Sequence, residues 1–297
     1  MKTDILKNYF DDIHKSFEDL GIRKGDILYV SSNIMRPIKQ AQTDLDFKDK
    51  EGRNIFFNKL IDTLIDIVSE RGTILFPMEN LDFCKGERYE AKVTKSTVGS
   101  LNNFVLENRT DFRRTRHPLY SFMVWGKDAD YLVNLDNQES FGENSPFAYL
   151  DNNNARQLAL DVDMAKGMTF FHYVEQQCKV PYRYHKVFLG EYTDWNGNTE
   201  IRAYSQFVRK LEIGYEFKLS DDFLEKEAGL RTIEINGWIA SLIDFDAVKK
   251  AIAKNLSEGA TNIYEFKDYE MPVGKWPDEK IYEVSKLRDY KMIEKEV

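Results

Sequence analysis

The sequence predicts an α/β protein with a central mixed, largely parallel sheet flanked by helices and an appended β-rich region. Three observations carry that prediction. A helical stripe followed by a short apolar strand occurs twice before Pro77, polar residues collect just past the strands, and beyond residue 185 the pattern changes to alternation around Asn196-Gly197.

The first stripe is Leu6, Tyr9, Phe10, Ile13, Phe17 and Leu20, closed by Gly21. Ile27-Leu28-Tyr29-Val30 follows, an apolar run between Lys24-Gly25-Asp26 and Ser31-Ser32-Asn33, as a buried parallel strand would be. The cycle repeats with Phe56, Phe57, Leu60, Ile61, Leu64, Ile65 and Val68, a break at Gly72, and the strand Thr73-Ile74-Leu75-Phe76. Val98 to Leu106 reads as helix, Tyr120 to Trp125 and Leu158 to Val162 as strands, and Thr169 to Glu175 as helix. Val187, Leu189 and Tyr192 then alternate into the Asn196-Gly197 turn and return through Ile201, Ala203 and Phe207. Thr232 to Ile243 reads as one strand-like run, and Val248, Ala251, Ile252 and Leu256 as a last core helix. The charged, aromatic tail from Ser257, with Trp276-Pro277, has no clear period. These readings divide the chain into a core at 1–185, a β-rich insertion at 186–231, and a strand, helix and tail at 232–297 that complete the core.

Composition excludes several classes. At 297 residues with 42% hydrophobic residues the chain can bury a large core. A net charge of −8 argues against a nucleic-acid surface, which needs clustered Lys and Arg. No run reaches the 18 or more apolar residues of a membrane span, and the N-terminus lacks a signal-peptide pattern, so a cytoplasmic protein is expected. Cys84 and Cys178 lack redox or zinc spacing and read as free thiols.

In open α/β sheets ligands bind beyond the carboxyl ends of strands, which makes Ser31 to Asn33, Met78 to Asn80 and Asp163 to Gly167 site-lining candidates. His172 and Glu175 stand three apart on a helix, so both side chains emerge on nearly one face. A carboxylate there fixes the imidazole tautomer and makes the histidine a competent general base; the bland alternative is a helix-surface pair. A metal reading of His172, Glu175 and Cys178 is set aside, because three ligands on one straight helix seldom converge and no HExxH or paired CxxC occurs. His117 precedes Pro118 at a strand entrance, where a turn role competes with a chemical one. The Arg113, Arg114, Arg116 cluster is either a solvated loop edge or a phosphate contact. Neither a GxSxG elbow nor a glycine-rich phosphate loop is present.

Six segments, in order, resemble the aminoglycoside 3-N-acetyltransferase family over most of residues 15–185. Gly21 to Asp26 with Leu28-Tyr29-Val30 resembles its entry strand, and Gly72 to Pro77 its GTLVMP strand. Thr94 to Gly99 with Leu101 is similar to TPSxxGxL, and Arg113 to Pro118 with Ser121 and Gly126 to RRSxHPxxSxxxxG. Phe141 to Pro146 is similar to the GExSP turn, and Thr169 to Glu175 to TxLHxAE.

The resemblance implies an acyl-CoA-dependent N-acyltransferase that uses acetyl-CoA or another acyl-CoA as co-substrate and no metal. An amine attacks the thioester directly, with His172 as base, Glu175 orienting it and His117 assisting. Ser31, Ser32, Asn33, Ser96, Thr97 and Ser121 are expected around the coenzyme, with Ser96 and Thr97 opening a helix whose N–H groups receive phosphate or oxyanion. Asn80, Lys166, Tyr182 and Arg183 are expected around the acceptor. Where many aminoglycoside-modifying members carry acids, this chain aligns Leu119 and Lys166, and lysine would repel a polycation. The sequence therefore favours a nucleotide-linked amino sugar for surface polysaccharide as acceptor, with an aminoglycoside as the alternative. A non-catalytic relative that binds CoA or a sugar is the competing class.

Overall fold

Alternation along the strands decides which side of the sheet each residue serves, and that in turn places the candidate site. The computed structural model describes residues 2–45, 49–274, 276 and 282–284. Its first half runs α1 (Lys2–Leu20), β1 (Ile27–Ser32), α2 (Met35–Asp44), α3 (Lys50–Val68), β2 (Thr73–Glu79), a 3-10 turn (Asp82–Lys85), β3 (Tyr89–Glu90), α4 (Ser100–Asn108), β4 (Arg113–Arg114) and β5 (Tyr120–Gly126). Next come α5 (Ala129–Asn134), α6 (Pro146–Asn152), β6 (Arg156–Leu160), α7 (Phe170–Cys178), β7 (Arg183–Thr193), β8 (Thr199–Arg209) and β9 (Gly214–Phe217). The chain then forms α8 (Asp221–Ala228), β10 (Arg231–Ile235), β11 (Trp238–Asp244), α9 (Phe245–Ser257), β12 (Tyr264–Lys267) and β13 (Tyr282–Val284).

Seven strands form the main sheet in the order β10-β11-β6-β1-β2-β5-β4. The three central strands β6, β1 and β2 are parallel, and the outer pairings are antiparallel. Leu28 and Val30 of β1, Ile74, Phe76 and Met78 of β2, and Leu158 and Leu160 of β6 pack into one buried cluster with the apolar faces of α1, α3 and α4. Tyr29, Leu75 and Ala159 point the other way, into a second cluster with Phe170, Phe171 and Val174 of α7 and Phe245, Val248 and Ile252 of α9. Glu79 shares the second face with Leu75 by this alternation, so β2 delivers its last carboxylate toward α7. Gly126, at φ +106°, lies beside the Gly72 carbonyl, which a Cβ there would strike, so the β2–β5 pairing that carries Glu79 needs a glycine at that end.

The β7–β8 hairpin pairs from Arg183 with Arg209 to Thr193 with Thr199 around the anticipated Asn196-Gly197 turn. Two expectations change. The run Thr232 to Ile243 is two antiparallel strands, β10 and β11, joined at Asn236-Gly237, both of which have positive φ. The helix expected from Val98 begins at Ser100, with Gly99 as its cap residue, so Ser96 and Thr97 lie in the preceding loop. Pro277 and most of the tail after Gly274 fall outside the described residues. Among the described residues, no helix is long and apolar enough to cross a membrane.

Candidate active site

The loop that leads into α7 is tied down from both sides. Gln157 Nε2 donates to Ser31 Oγ at 3.0 Å and to the Gly167 carbonyl at 2.8 Å, and the Asp221 carboxylate accepts from the backbone N–H groups of Met164 and Ala165 at 2.9 and 2.7 Å. A Cβ at Gly167 would come within 3.2 Å of Ser31 Oγ, so a small residue lets the loop settle against β1. The αL residue Lys179 then ends α7 and turns the chain so that Tyr182 and Arg183 run back beneath it.

What they run back to is Glu175. This carboxylate is fully buried and accepts from Tyr182 Oη at 2.7 Å and Tyr264 Oη at 2.8 Å, both on Oε1. Its Oε2 stands 2.6 Å from His172 Nδ1 and 2.9 Å from Arg183 Nε, the latter a contact of charge rather than a linear hydrogen bond. Burial pushes the Glu175 carboxyl up, but the Arg183 charge and the His172 and Tyr182 hydrogen bonds outweigh it, and the net shift is downward. Burial and the Glu175 charge hold the Tyr182 and Tyr264 phenols well above their usual range, so both remain donors. At 2.6 Å an ionised Glu175 accepts a hydrogen bond from Nδ1–H, a closer contact than the 3.2 Å approach of Arg183 Nη2 to the same nitrogen. This contact favours the Nδ1–H tautomer of the neutral ring, which leaves the lone pair on Nε2, and the His172 side chain is 35% exposed.

His172 opens into a pocket of about 480 Å³ whose walls include Tyr120, Phe171, Tyr215, Phe217, Tyr264 and Glu79. Glu79 falls within the Met78 to Asn80 segment expected to line the site, though the sequence gives it no role of its own. Its Oε1 receives the Thr169 hydroxyl and, at 3.4 Å, the Tyr29 hydroxyl. Burial raises its pKa, with Thr169 and Tyr29 only partly offsetting that. Tyr264 is a residue that the sequence does not reveal, being carried by β12, which pairs with β9. A polar residue ending an apolar strand is the available signal for Glu79; Tyr264 has none beyond an aromatic-rich tail.

The remaining expected site residues scatter. His117 is buried at 1% exposure, its Nδ1 accepting from the Leu119 and Tyr120 backbone N–H groups at 3.2 Å, and its ring packs on Tyr204 at 4.9 Å. Burial holds its pKa down to about 3, so it is a neutral ring committed to its own turn. Tyr182 and Arg183 are both turned to Glu175. Asn80 is also committed, donating to the Lys95 carbonyl at 2.9 Å and accepting from Asp82 N at 2.8 Å. Lys166 does border the pocket, but its Nζ is 2.5 Å from Asp163.

Of the six residues expected around the coenzyme, Ser121 is fully buried and accepts from Arg114 Nε at 3.0 Å. Ser96 is buried, its hydroxyl bonded to the Val98 carbonyl at 2.7 Å, and Ser31 is buried and bonded to Gln157. Thr97 and Asn33 are exposed, the Thr97 hydroxyl donating to the Glu79 carbonyl at 3.1 Å, whereas Ser32 Oγ is buried on the opposite face of β1 from Ser31 and makes no hydrogen bond among the described residues, so only Thr97 and Asn33 are open to a ligand. Arg114 donates to the Ala91 and Thr94 carbonyls and to Ser121, and Arg113 pairs with Asp130 at 2.7 Å; all three arginines of the cluster line a separate cavity of about 300 Å³ together with Arg202 and Trp195. Cys84 and Cys178 are free thiols, raised by burial to about 12 and about 11.

Residues 47–257 match the family model described as aminoglycoside 3-N-acetyltransferase. The chain belongs to that family. It is 27% identical over 146 residues to the SPbeta prophage-derived aminoglycoside N(3')-acetyltransferase-like protein YokD of Bacillus subtilis, across 42% of this chain and 53% of YokD, so the match spans about half that relative's length. The YokD crystal structure superposes with a TM-score of 0.64 at 19% identity, covering 83% of this chain and 92% of YokD. Two family structures share the fold equally well: AAC-IIIb in binary complex with CoASH (TM-score 0.64, 18% identity, 87% and 96% coverage) and AAC-VIa bound to sisomicin (0.64, 17%, 83% and 96%).

Proposed function

We propose that this aminoglycoside 3-N-acetyltransferase family member is an acyl-CoA-dependent N-acyltransferase that transfers an acetyl group to an amine of an aminoglycoside-type amino sugar. The observation that carries the proposal is the His172 imidazole, held through Nδ1 by a buried Glu175 and lining an aromatic pocket, which leaves Nε2 as the nitrogen to act as base. The amine nitrogen attacks the thioester carbonyl carbon, the N–C bond forms and the C–S bond breaks. The proton leaves nitrogen for Nε2 and passes to the coenzyme sulfur, giving an amide and free CoA thiol. Acyl-CoA supplies the activated acyl group; Thr97 and Asn33 are the residues assigned to hold it, since both are open to solvent.

Support for the acceptor comes from the family description, from AAC-VIa having been captured with sisomicin, and from Lys166. The case for a nucleotide-linked amino sugar rests mainly on a lysine at the pocket rim. With Asp163 against it, Lys166 brings no net positive charge, and the argument for an anionic acceptor falls. Aromatic walls suit the apolar faces of sugar rings and nearby ammonium groups.

The experiment is a paired assay with acetyl-CoA: thiol release and product mass, measured with a kanamycin-type amine and with UDP- or dTDP-linked amino sugars. The antibiotic amine should yield one thiol per amide formed. A strong preference for the nucleotide-linked sugar would overturn the acceptor, and coenzyme binding without thiol release from any amine would overturn the transferase.

A further inference from the structure

Acyl transfer by His172 gives no role to Glu79, a carboxylate on the wall of the same pocket. It is a carboxylate set among uncharged donors: Thr169 from the start of α7 and Tyr29 from β1 both donate to Oε1. Oε2 takes no hydrogen bond from the described residues, and no described lysine or arginine pairs with Glu79. Tyr120 stands directly opposite it in the β2–β5 register, and both line the pocket that His172 enters. Burying a carboxylate without a counter-charge is costly, and the cost is visible as its raised pKa. The contrast with Glu175 is direct, since that carboxylate has Arg183 as counter-ion and two phenols on its other oxygen. No counter-charge is present at Glu79 among the described residues, and Glu79 lines the pocket. The walls around it, Tyr120, Phe171, Tyr215, Phe217 and Tyr264, favour a cation through their ring faces.

We infer that Glu79 is the acceptor's ammonium receptor: it takes up a protonated primary amine on Oε2 and selects cationic amino sugars over neutral or anionic ones. Thr169 is a positioning residue that fixes Oε1 so that Oε2 is the free oxygen. Since Thr169 is one helical turn before His172, the ammonium is held within a turn of the base. The inference rests on the acyltransferase reading for its consequence in catalysis, but the ion pair itself does not require turnover.

The test uses Glu79→Gln, which keeps the shape and the Thr169 contact, with Glu79→Asp as the charge-conserving companion. In steady state Glu79→Gln should raise KM for kanamycin about tenfold or more while KM for acetyl-CoA holds, and Glu79→Asp should recover part of the loss. An unchanged KM for acetyl-CoA also shows that the variant is folded. Calorimetric titration of kanamycin without acyl-CoA should show the same weakening, whereas tetra-N-acetylated kanamycin should not distinguish wild type from Glu79→Gln. Equal kanamycin affinity in both proteins overturns the inference and leaves the transferase reading standing. Weakened binding in Glu79→Gln supports it even where no acyl transfer occurs, and that second result alone would then count against the transferase.

Discussion

Two histidines, His172 and His117, both belong to recognisable family segments, and the structure gives them opposite surroundings. His172 is anchored at one nitrogen by a buried carboxylate and lines an aromatic pocket. His117 lies under Tyr204 and Tyr120, accepts two backbone N–H groups, and is kept neutral by burial. The difference teaches that a histidine becomes a base by having a charged partner on one side and access on the other; His117 has neither.

Replacement of each histidine by glutamine sharpens the contrast most. His172→Gln should lower kcat by about 10²–10⁴-fold, the usual contribution of a positioned base, with little change in melting temperature. His117→Gln should leave kcat near wild type and cost about 1–3 kcal/mol of stability through its two backbone partners. Equal activity loss in the two variants would break the comparison.

A smaller effect follows from Glu175→Gln. Removing the carboxylate charge leaves Arg183 buried without its counter-ion, at a cost of about 3–5 kcal/mol in denaturant unfolding, and frees the His172 ring to change tautomer. Activity and stability should fall together, unlike in His172→Gln.

The pH dependence of stability separates the groups further. The folded pKa of His117 lies near 3, below its usual 6.5, so the fold prefers neutral imidazole. Stability from this group is complete above pH 6.5 and is lost as pH falls toward 3, by up to about 1.4 kcal/mol per unit. Glu175, with a folded pKa below its usual 4.5, adds to the loss at lower pH. Glu79 opposes it, because a raised pKa means that the fold gains as that carboxyl takes its proton. Urea unfolding between pH 7 and 5 should slope downward in wild type and flatten in His117→Gln.

Much of the site is legible in the sequence, and the parts that are not have physical reasons. The His172–Glu175 pairing follows from helical spacing alone, since three residues bring side chains to one face. Tyr182 and Arg183 are visible as site residues but not as supports of Glu175, because the αL turn at Lys179, which sends them under α7, has no glycine to announce it. Glu79 and Tyr264 reach α7 from 90 and 89 residues away from their partners Thr169 and Glu175, a proximity that only sheet order and the β9–β12 pairing create. Ser31 and Ser32 read as one polar patch, yet adjacent strand residues face opposite sides of the sheet. The Asn236-Gly237 turn is hidden because alternation continues unbroken on both sides of it, although the same dipeptide signals the hairpin at Asn196-Gly197.

Base chemistry at His172 depends on Glu175 fixing the ring proton on Nδ1, and nitrogen-15 NMR of the histidine rings at alkaline pH reads that directly. Wild type should show a proton on Nδ1 of His172 with Nε2 bare, and Glu175→Gln should lose that preference. A wild-type spectrum with the proton on Nε2 would contradict the mechanism, since Nε2 would then have no lone pair to act as base.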